Sequence, residues 1–232
     1  MKEEGRMNNQ KAYKLNGSDK GNMLPGDLKG LPDESFFDTL VFIDANFLSK
    51  VSKHFGGEKY LVYDLVKLSN NLSRKQKLRC KQIFYYTAPP FQSQVPTKEE
   101  ERKKWGYDKF TKKIKEYGIL VREGRCQRLK IDNKFEYKQK AVDILLAMDL
   151  MSVPLEFPRV KRIILIASDS DFVPVVKNLR QKGIKTILYT YYERKRNTNF
   201  SRSNYLIKSV HKYKILSIDD FEEAQLNKND KI

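Results

Sequence analysis

Four short, unbroken apolar runs constrain this chain more than any other feature: Leu40-Val41-Phe42-Ile43, Ile83-Phe84-Tyr85-Tyr86, Ile163-Ile164-Leu165-Ile166-Ala167 and Ile187-Leu188-Tyr189. None alternates with polar residues, so each predicts a strand buried on both faces, as in a parallel sheet covered by helices. Ile119-Leu120-Val121 and Ile215-Leu216-Ser217-Ile218 are weaker members of the set. Between the runs lie helical patterns. Leu61, Leu65, Leu68 and Leu72 recur at spacings of three and four over Tyr60 to Leu72. Lys98 to Tyr117 predicts a charged helix, Lys138 to Met151 an apolar one, and Phe172 to Lys182 a helix closed by Gly183. Strands alternating with helices predict an α/β fold with a mostly parallel central sheet.

The domain reading follows the texture. Residues 1–36, punctuated by Gly17, Gly21, Pro25, Gly26, Gly30 and Pro32, read as a flexible N-terminal arm. Residues 37–220 read as one folded domain and 221–232 as a polar C-terminal tail.

Charge narrows the partner. The 232 residues carry 46 Lys+Arg against 29 Asp+Glu, a net charge of +17. That excess predicts a polyanionic partner, either nucleic acid or an anionic membrane surface. No stretch resembles a signal peptide, and no run approaches the roughly 18–20 apolar residues that span a bilayer. The expected location is cytoplasmic. Two cysteines, Cys80 and Cys126, argue against a disulfide scaffold or a Cys-rich zinc site, and His54 and His211 supply histidine chemistry poorly.

Functional groups in open α/β sheets gather at the carboxyl ends of strands. The first strand delivers Asp44-Ala45-Asn46 there, and the run ending at Ala167 delivers Ser168-Asp169-Ser170-Asp171. Asp143 lies inside the apolar sequence Ala141 to Met148, where an unpaired charge is costly. If the two strands are neighbours, Asp44, Asp143, Asp169 and Asp171 converge. Two carboxylates about 5 Å apart repel by roughly 3 kcal/mol at an effective dielectric near 20. Such a cluster therefore wants a hard, oxygen-seeking cation, Mg2+ or Mn2+. A bound ion would polarise a phosphoryl oxygen and lower the pKa of a water. Each acid also has a plainer use. Asp44, Asp169 and Asp171 suit helix N-termini, Lys140 one turn from Asp143 suits a buried ion pair, and Asp149 reads as structural. Ala45-Asn46-Phe47 lacks the glycines of a dinucleotide or P-loop turn, and Asn46 stands where a haloacid-dehalogenase-type phosphatase needs a second Asp.

Val41 to Asn46, Lys140 to Asp143 with Asp149-Leu150, and Ser168 to Pro174 followed by Leu179-Arg180 and Gly183 resemble, in order and spacing, the NYN domain family. These are LabA-like members of the PIN-like nuclease superfamily, and the resemblance runs from about Leu40 to Ile218. It implies a PIN-like three-layer α/β/α sandwich and a metal-dependent ribonuclease site. Asp44 resembles the first-strand metal ligand, Asp143 the helix acid, and Asp169 and Asp171 the later acidic pair; Asn46 matches a polar position that orients the first acid or substrate. Phe47 stands where many relatives carry a polar group, and Ser168 where a Gly is common.

The basic charge is grouped. Leu65 to Thr97 holds six Lys/Arg and no acid, and Arg122, Arg125, Arg128 and Lys130 form another group. Lys182 to Lys214 holds nine Lys/Arg against Glu193, interleaved with tyrosines and Phe200, a mixture suited to phosphate contact and base stacking. The candidate nucleic-acid contacts are Lys140, Ser168, Tyr191, Tyr192, Arg194, Lys195, Arg196 and Arg202. The leading expectation is an endoribonuclease acting on single-stranded or structured RNA with Mg2+ or Mn2+. The alternatives are a non-catalytic nucleic-acid binder, which Phe47 favours, and a nuclease directed at DNA. A homodimer is compatible with either class.

Overall fold

A computed structural model describes residues 36–132, 134–194 and 200–226. The elements in chain order are β1 (Phe37–Asp44), α1 (Ala45–Phe55), α2 (Leu65–Arg74), β2 (Leu78–Thr87), α3 (Lys98–Glu116), β3 (Leu120–Glu123), β4 (Arg125–Ile131), β5 (Lys134–Lys140), α4 (Val142–Glu156), β6 (Arg162–Ile166), α5 (Val173–Gln181), β7 (Lys185–Thr190), α6 (Asn204–Ser209), β8 (Lys212–Ile215) and α7 (Ile218–Glu222). The expected N-terminal arm, up to residue 35, and the candidate contacts Lys195 and Arg196 lie outside the described residues.

Six strands form one sheet in the order β3-β2-β1-β6-β7-β8, and every neighbouring pair is parallel. The apolar runs dictate this arrangement. In β1, Val41 and Ile43 point to one face, against Leu48 and Val51 of α1 and Leu68 and Leu72 of α2. Leu40 and Phe42 point to the other, against Leu146 and Leu150 of α4 and Val176 and Leu179 of α5. Phe42 stacks on Phe84 with ring centroids 4.7 Å apart. Burying each such side chain contributes roughly 1.5–3 kcal/mol, which an alternating strand could supply on one face only. The result is an α/β/α sandwich whose central sheet is wholly parallel.

Several boundaries differ from the sequence expectation. The helix expected from Tyr60 begins at Leu65, because Asp64 caps it by accepting from the N–H groups of Val66 (2.7 Å) and Lys67 (2.9 Å). The last strand ends at Ile215; Leu216 turns into the core, and Ser217 and Asp220 form the capping box of α7. The folded domain also runs past residue 220, since Phe221 and Ala224 are buried.

The largest difference is at Lys138. Lys134–Lys140 is a strand, paired antiparallel with Arg125–Ile131 in a hairpin separate from the main sheet. The helix starts only at Val142, after Ala141, whose φ of 68° is left-handed. Lys140 is therefore not one helical turn from Asp143. At the root of the hairpin the chain passes close to itself. A Cβ on Gly124 would lie 2.3 Å from the carbonyl oxygen of Lys140 and 2.8 Å from Val142. Gly124→Ala should therefore cost about 1–3 kcal/mol, and calorimetry should find a melting temperature several degrees lower.

Candidate active site

The strand order fixes where a crevice can form. From β1 the chain turns to the α1 face, and from β6 to the α5 face. Neighbouring parallel strands whose connections leave on opposite faces open a cleft at their carboxyl ends. Ile43 pairs with Ile166, so the next residues, Asp44 on one strand and Ala167-Ser168-Asp169 on the other, flank that cleft. Helix α4 precedes β6 and runs back along the sheet, which puts its N-terminal turn, with Asp143, at the same end.

Asp44 is the most constrained acid. It is only 9% exposed. Its Oδ1 accepts from the N–H groups of Asn46 (3.0 Å) and Phe47 (3.2 Å), capping α1. Burial raises its pKa to about 6 from 3.8; the nearby charge of Asp143 adds to the rise, while the two N–H donors and Lys50 oppose it. Asp143 is reached by solvent, yet its pKa is also raised, first by partial burial and then by the charges of Asp169 and Asp171. Asp169 and Asp171 are exposed around the 3-10 turn Ser170–Phe172, where Asp169 Oδ1 accepts from the Asp171 N–H at 2.9 Å. The four expected acids are thus linked through Asp143: it raises the pKa of Asp44, and Asp169 and Asp171 raise its own.

The set is not a closed coordination shell. Among the described residues, no three His, Cys, Asp or Glu side chains are gathered so as to hold an ion. The donor chemistry nevertheless suits a hard divalent cation, since the groups are all carboxylates and two of them are protonated more readily, first through burial and then through neighbouring carboxylates.

The remaining expected residues separate. Asn46 is exposed on the first turn of α1, and Ser168 is half-buried beside the acids. Phe47 is 4% exposed and packs in the core, so its apolar side chain says nothing about the site. Lys140 ends β5, three residues before Asp143. Tyr191 is engaged with the fold: its hydroxyl lies 3.0 Å from His54 Nε2, and its ring packs on Phe55 and Phe200. Arg202 lies over the ring of Tyr192, 5.0 Å from its centroid, and Arg194 is exposed. Asp149 is structural, accepting from Tyr86 at 2.9 Å and from Arg122 through both oxygens. In the basic stretch from Leu65, Lys75 pairs with Asp220 and Glu223, and Arg79 with Asp38, at the amino end of the sheet. Those two cations serve the scaffold. Lys50 escaped the sequence reading; its signal is the spacing of four from Asn46, which puts both on one face of α1.

Comparison with known proteins gives the family. The NYN domain model matches residues 38–213, more than half of the chain. The chain belongs to the NYN domain family. NYN domains generally comprise nucleases of the PIN-like superfamily, which typically use divalent metals and act on RNA or DNA. No curated protein matches the chain. Among solved structures, the NYN chain is similar to the crystal structure of a protein of unknown function, VPA0982, from Vibrio parahaemolyticus RIMD 2210633. The TM-score is 0.53 at 14% identity, over 82% of this chain and 99% of that one, a likeness of fold. No helix among the described residues of the NYN chain is long and apolar enough to cross a membrane.

The raised pKa of Asp44 has a consequence for stability. Between its ordinary value of 3.8 and about 6, the folded protein binds this proton more tightly than the unfolded chain does. Stability conferred by the protonated form is therefore lost as pH rises through that window, and the cost of the buried charge is complete above it. In chelator, Asp44→Asn keeps a capping oxygen and removes the charge, and should stabilise the protein by up to about 3 kcal/mol near pH 8. The gain should vanish near pH 4. Thermal melts of both proteins across that range check it.

Proposed function

We propose that this NYN domain is a metal-dependent endoribonuclease, hydrolysing phosphodiester bonds of single-stranded or structured RNA to a 5′-phosphate and a 3′-hydroxyl. One observation carries the reading. Acids of three separate motifs border the switch point of a parallel sheet, near enough for the charge of Asp143 to raise the pKa of Asp44 and for those of Asp169 and Asp171 to raise that of Asp143. Capping accounts for the places of Asp44 and Asp169, but not for a third acid, Asp143, whose charge raises the pKa of Asp44.

Asp44 and Asp143, with Asp169 or Asp171, would hold Mg2+ or Mn2+. Such an ion, when bound, supplies polarisation of the phosphoryl oxygen and a more acidic water. The chain's own residues do the rest. The N–H groups of Asn46 and Phe47 fix Asp44 Oδ1, so the carboxylate is oriented before substrate arrives. The acid of the Asp169–Asp171 pair left free takes the proton from the attacking water at its carboxylate oxygen as the new P–O bond forms, and the 3′-oxygen, leaving as its bond to phosphorus breaks, takes a proton from solvent. Asn46 and Ser168 offer neutral hydrogen bonds to the phosphodiester or its ribose. Lys140, Arg194 and Arg202, with Lys195 and Arg196, attract the phosphate backbone, while Tyr192 offers a ring for stacking. The site is read as cytoplasmic, where RNA is the abundant polyanion, and a homodimer is compatible with it.

Incubation with labelled single-stranded RNA and DNA, in Mn2+, Mg2+ or chelator, tests this directly. RNA should be cut in Mn2+ or Mg2+ and remain intact in chelator. Asp44→Asn and Asp143→Asn should each lower the rate at least a hundredfold while RNA binding stays equal or tightens. Cutting that survives both substitutions would sink the assignment.

A second reading, a non-catalytic NYN-fold nucleic-acid binder, is favoured by the absence of a closed three-ligand cluster among the described residues. Manganese separates the two. The enzyme should gain several degrees in melting temperature at saturating Mn2+, and Asp44→Asn should erase that gain. A pure binder should be indifferent to the metal.

A further inference from the structure

Among the described residues, the β4–β5 hairpin has no share in the main sheet, and its two strands pair only with each other. Every residue of β5 is exposed, and on β4 only Cys126 and Leu129 are partly covered. A lone two-stranded ribbon is marginal in water and needs support from elsewhere. One support is a layer of rings and a guanidinium. Arg128 lies 4.6 Å from the ring centroid of Phe91 and 4.6 Å from that of Phe135. Phe91 also meets Tyr137 at 5.8 Å. The register puts Arg128 opposite Tyr137 and Lys130 opposite Phe135, so these four share one face of the ribbon. Phe135 and Tyr137 each remain 56% exposed despite these contacts.

The charge of the ribbon is equally lopsided. Residues 125–140 contain six Lys/Arg against Asp132 and Glu136. Lys138 lies 3.5 Å from Glu136, while Arg125, Lys130, Lys134 and Lys140 make no ion pair among the described residues. Burying so many cations against a protein or a bilayer interior would be costly; leaving them beside a phosphate chain is not. Wet aromatic rings beside Arg128 and Lys130 suit unstacked bases, because a base inside a duplex has no open face to offer, while Arg125, Lys134, Lys138 and Lys140 lie on the ribbon's other face, where they would meet the phosphates.

The position is as telling as the composition. Arg125 pairs across the ribbon with Lys140, and Asp143 follows Lys140 by three residues. The Gly124 N–H donates to Thr87 O at 2.8 Å, anchoring the root at the carboxyl end of β2. Seven residues per strand give the arm a reach of roughly 20 Å from that root.

We propose that the β4–β5 hairpin is a binding arm for single-stranded nucleic acid, its lysines and arginines taking phosphates while Phe135 and Tyr137 stack on bases. Its role in leading the strand to the acids rests on the nuclease reading; its binding does not.

The test is fluorescence anisotropy of labelled oligouridylate and oligothymidylate in chelator, over a range of salt concentrations. Lys130→Gln, Lys134→Gln and Lys138→Gln combined should weaken binding at least about tenfold and flatten the salt slope by about 2, at about 0.7 per phosphate contact on a single strand. Phe135→Ala with Tyr137→Ala should weaken it about tenfold or more and leave the slope unchanged. The lysine variant touches none of the ring contacts, so it remains informative if the aromatic one melts early. RNA and DNA arms report whether the ribose matters. Wild-type affinity and slope in the lysine variant overturn the proposal, as does a wild-type protein that binds neither strand. Cutting that depends on Asp44 in a protein indifferent to the hairpin changes leaves the nuclease reading standing without the arm. Hairpin-dependent binding without any cutting leaves the arm standing and removes the nuclease.

Discussion

The structure depends on a divergence between two strands. β1 and β6 are hydrogen-bonded neighbours, yet the chain leaves β1 for one face of the sheet and β6 for the other. A single-faced arrangement would have packed the two connections against each other and filled the space above the strand ends. Here they part, and three N-terminal turns border the gap: α1 after β1, the 3-10 turn and α5 after β6, and α4 running back toward it. The four candidate acids of the domain lie on or at the caps of those turns.

Three N-terminal turns make, by default, an anion site, since each presents unpaired N–H groups and a partial positive charge. Each turn carries an acid of its own. Asp44 caps α1, Asp143 occupies the first turn of α4, and Asp169 caps the 3-10 turn. Asp44 and Asp169 thereby consume donors that could have held a phosphate, and Asp143 adds negative charge beside them. The outcome is a crevice bordered by carboxylates, which accepts anions poorly. Capping and cation-seeking are not rival explanations of Asp44, because the same Oδ1 that satisfies α1 leaves Oδ2 available. The acid also stays buried, and that burial is the main cause of its raised pKa.

The sheet was legible because buried parallel strands advertise themselves as unbroken apolar runs, and four of the six did so. The acids were legible because strand ends are marked by the same runs. Helix starts were harder. Asp64 stops α2 from beginning where the leucine spacing begins, since a cap outranks periodicity at a terminus. The hairpin was invisible for a different reason. Neither of its faces is buried, so its apolar alternation is only two residues long on each strand (Leu129 and Ile131, Phe135 and Tyr137), and its cations imitate the polar face of a helix. Lys138 to Ala141 were absorbed into the following helix because nothing in their composition announces a left-handed residue. Tyr191 looked like a free stacking ring, and its contacts with His54, Phe55 and Phe200 come from segments too distant in sequence to be read.

Ala141 joins these two levels. An alanine at φ 68° costs on the order of 1 kcal/mol relative to ordinary backbone, and glycine would remove most of that cost. The strained residue is held from both sides. Leu145 donates its N–H to Ala141 O, and the carbonyl of Lys140 lies against Gly124 with no room for a side chain between them. Strain kept in place by its surroundings is characteristic of joints that position functional groups. Here the joint sets the angle between the basic ribbon and the first turn of α4, and only Val142 separates it from Asp143. A displacement of the ribbon reaches that carboxylate through two residues, whereas Asp44 and Asp169 are set by the sheet itself. Asp143 is thus the acid whose place is tied through the backbone to the hairpin, whereas Asp44 and Asp169 follow directly from strands of the sheet.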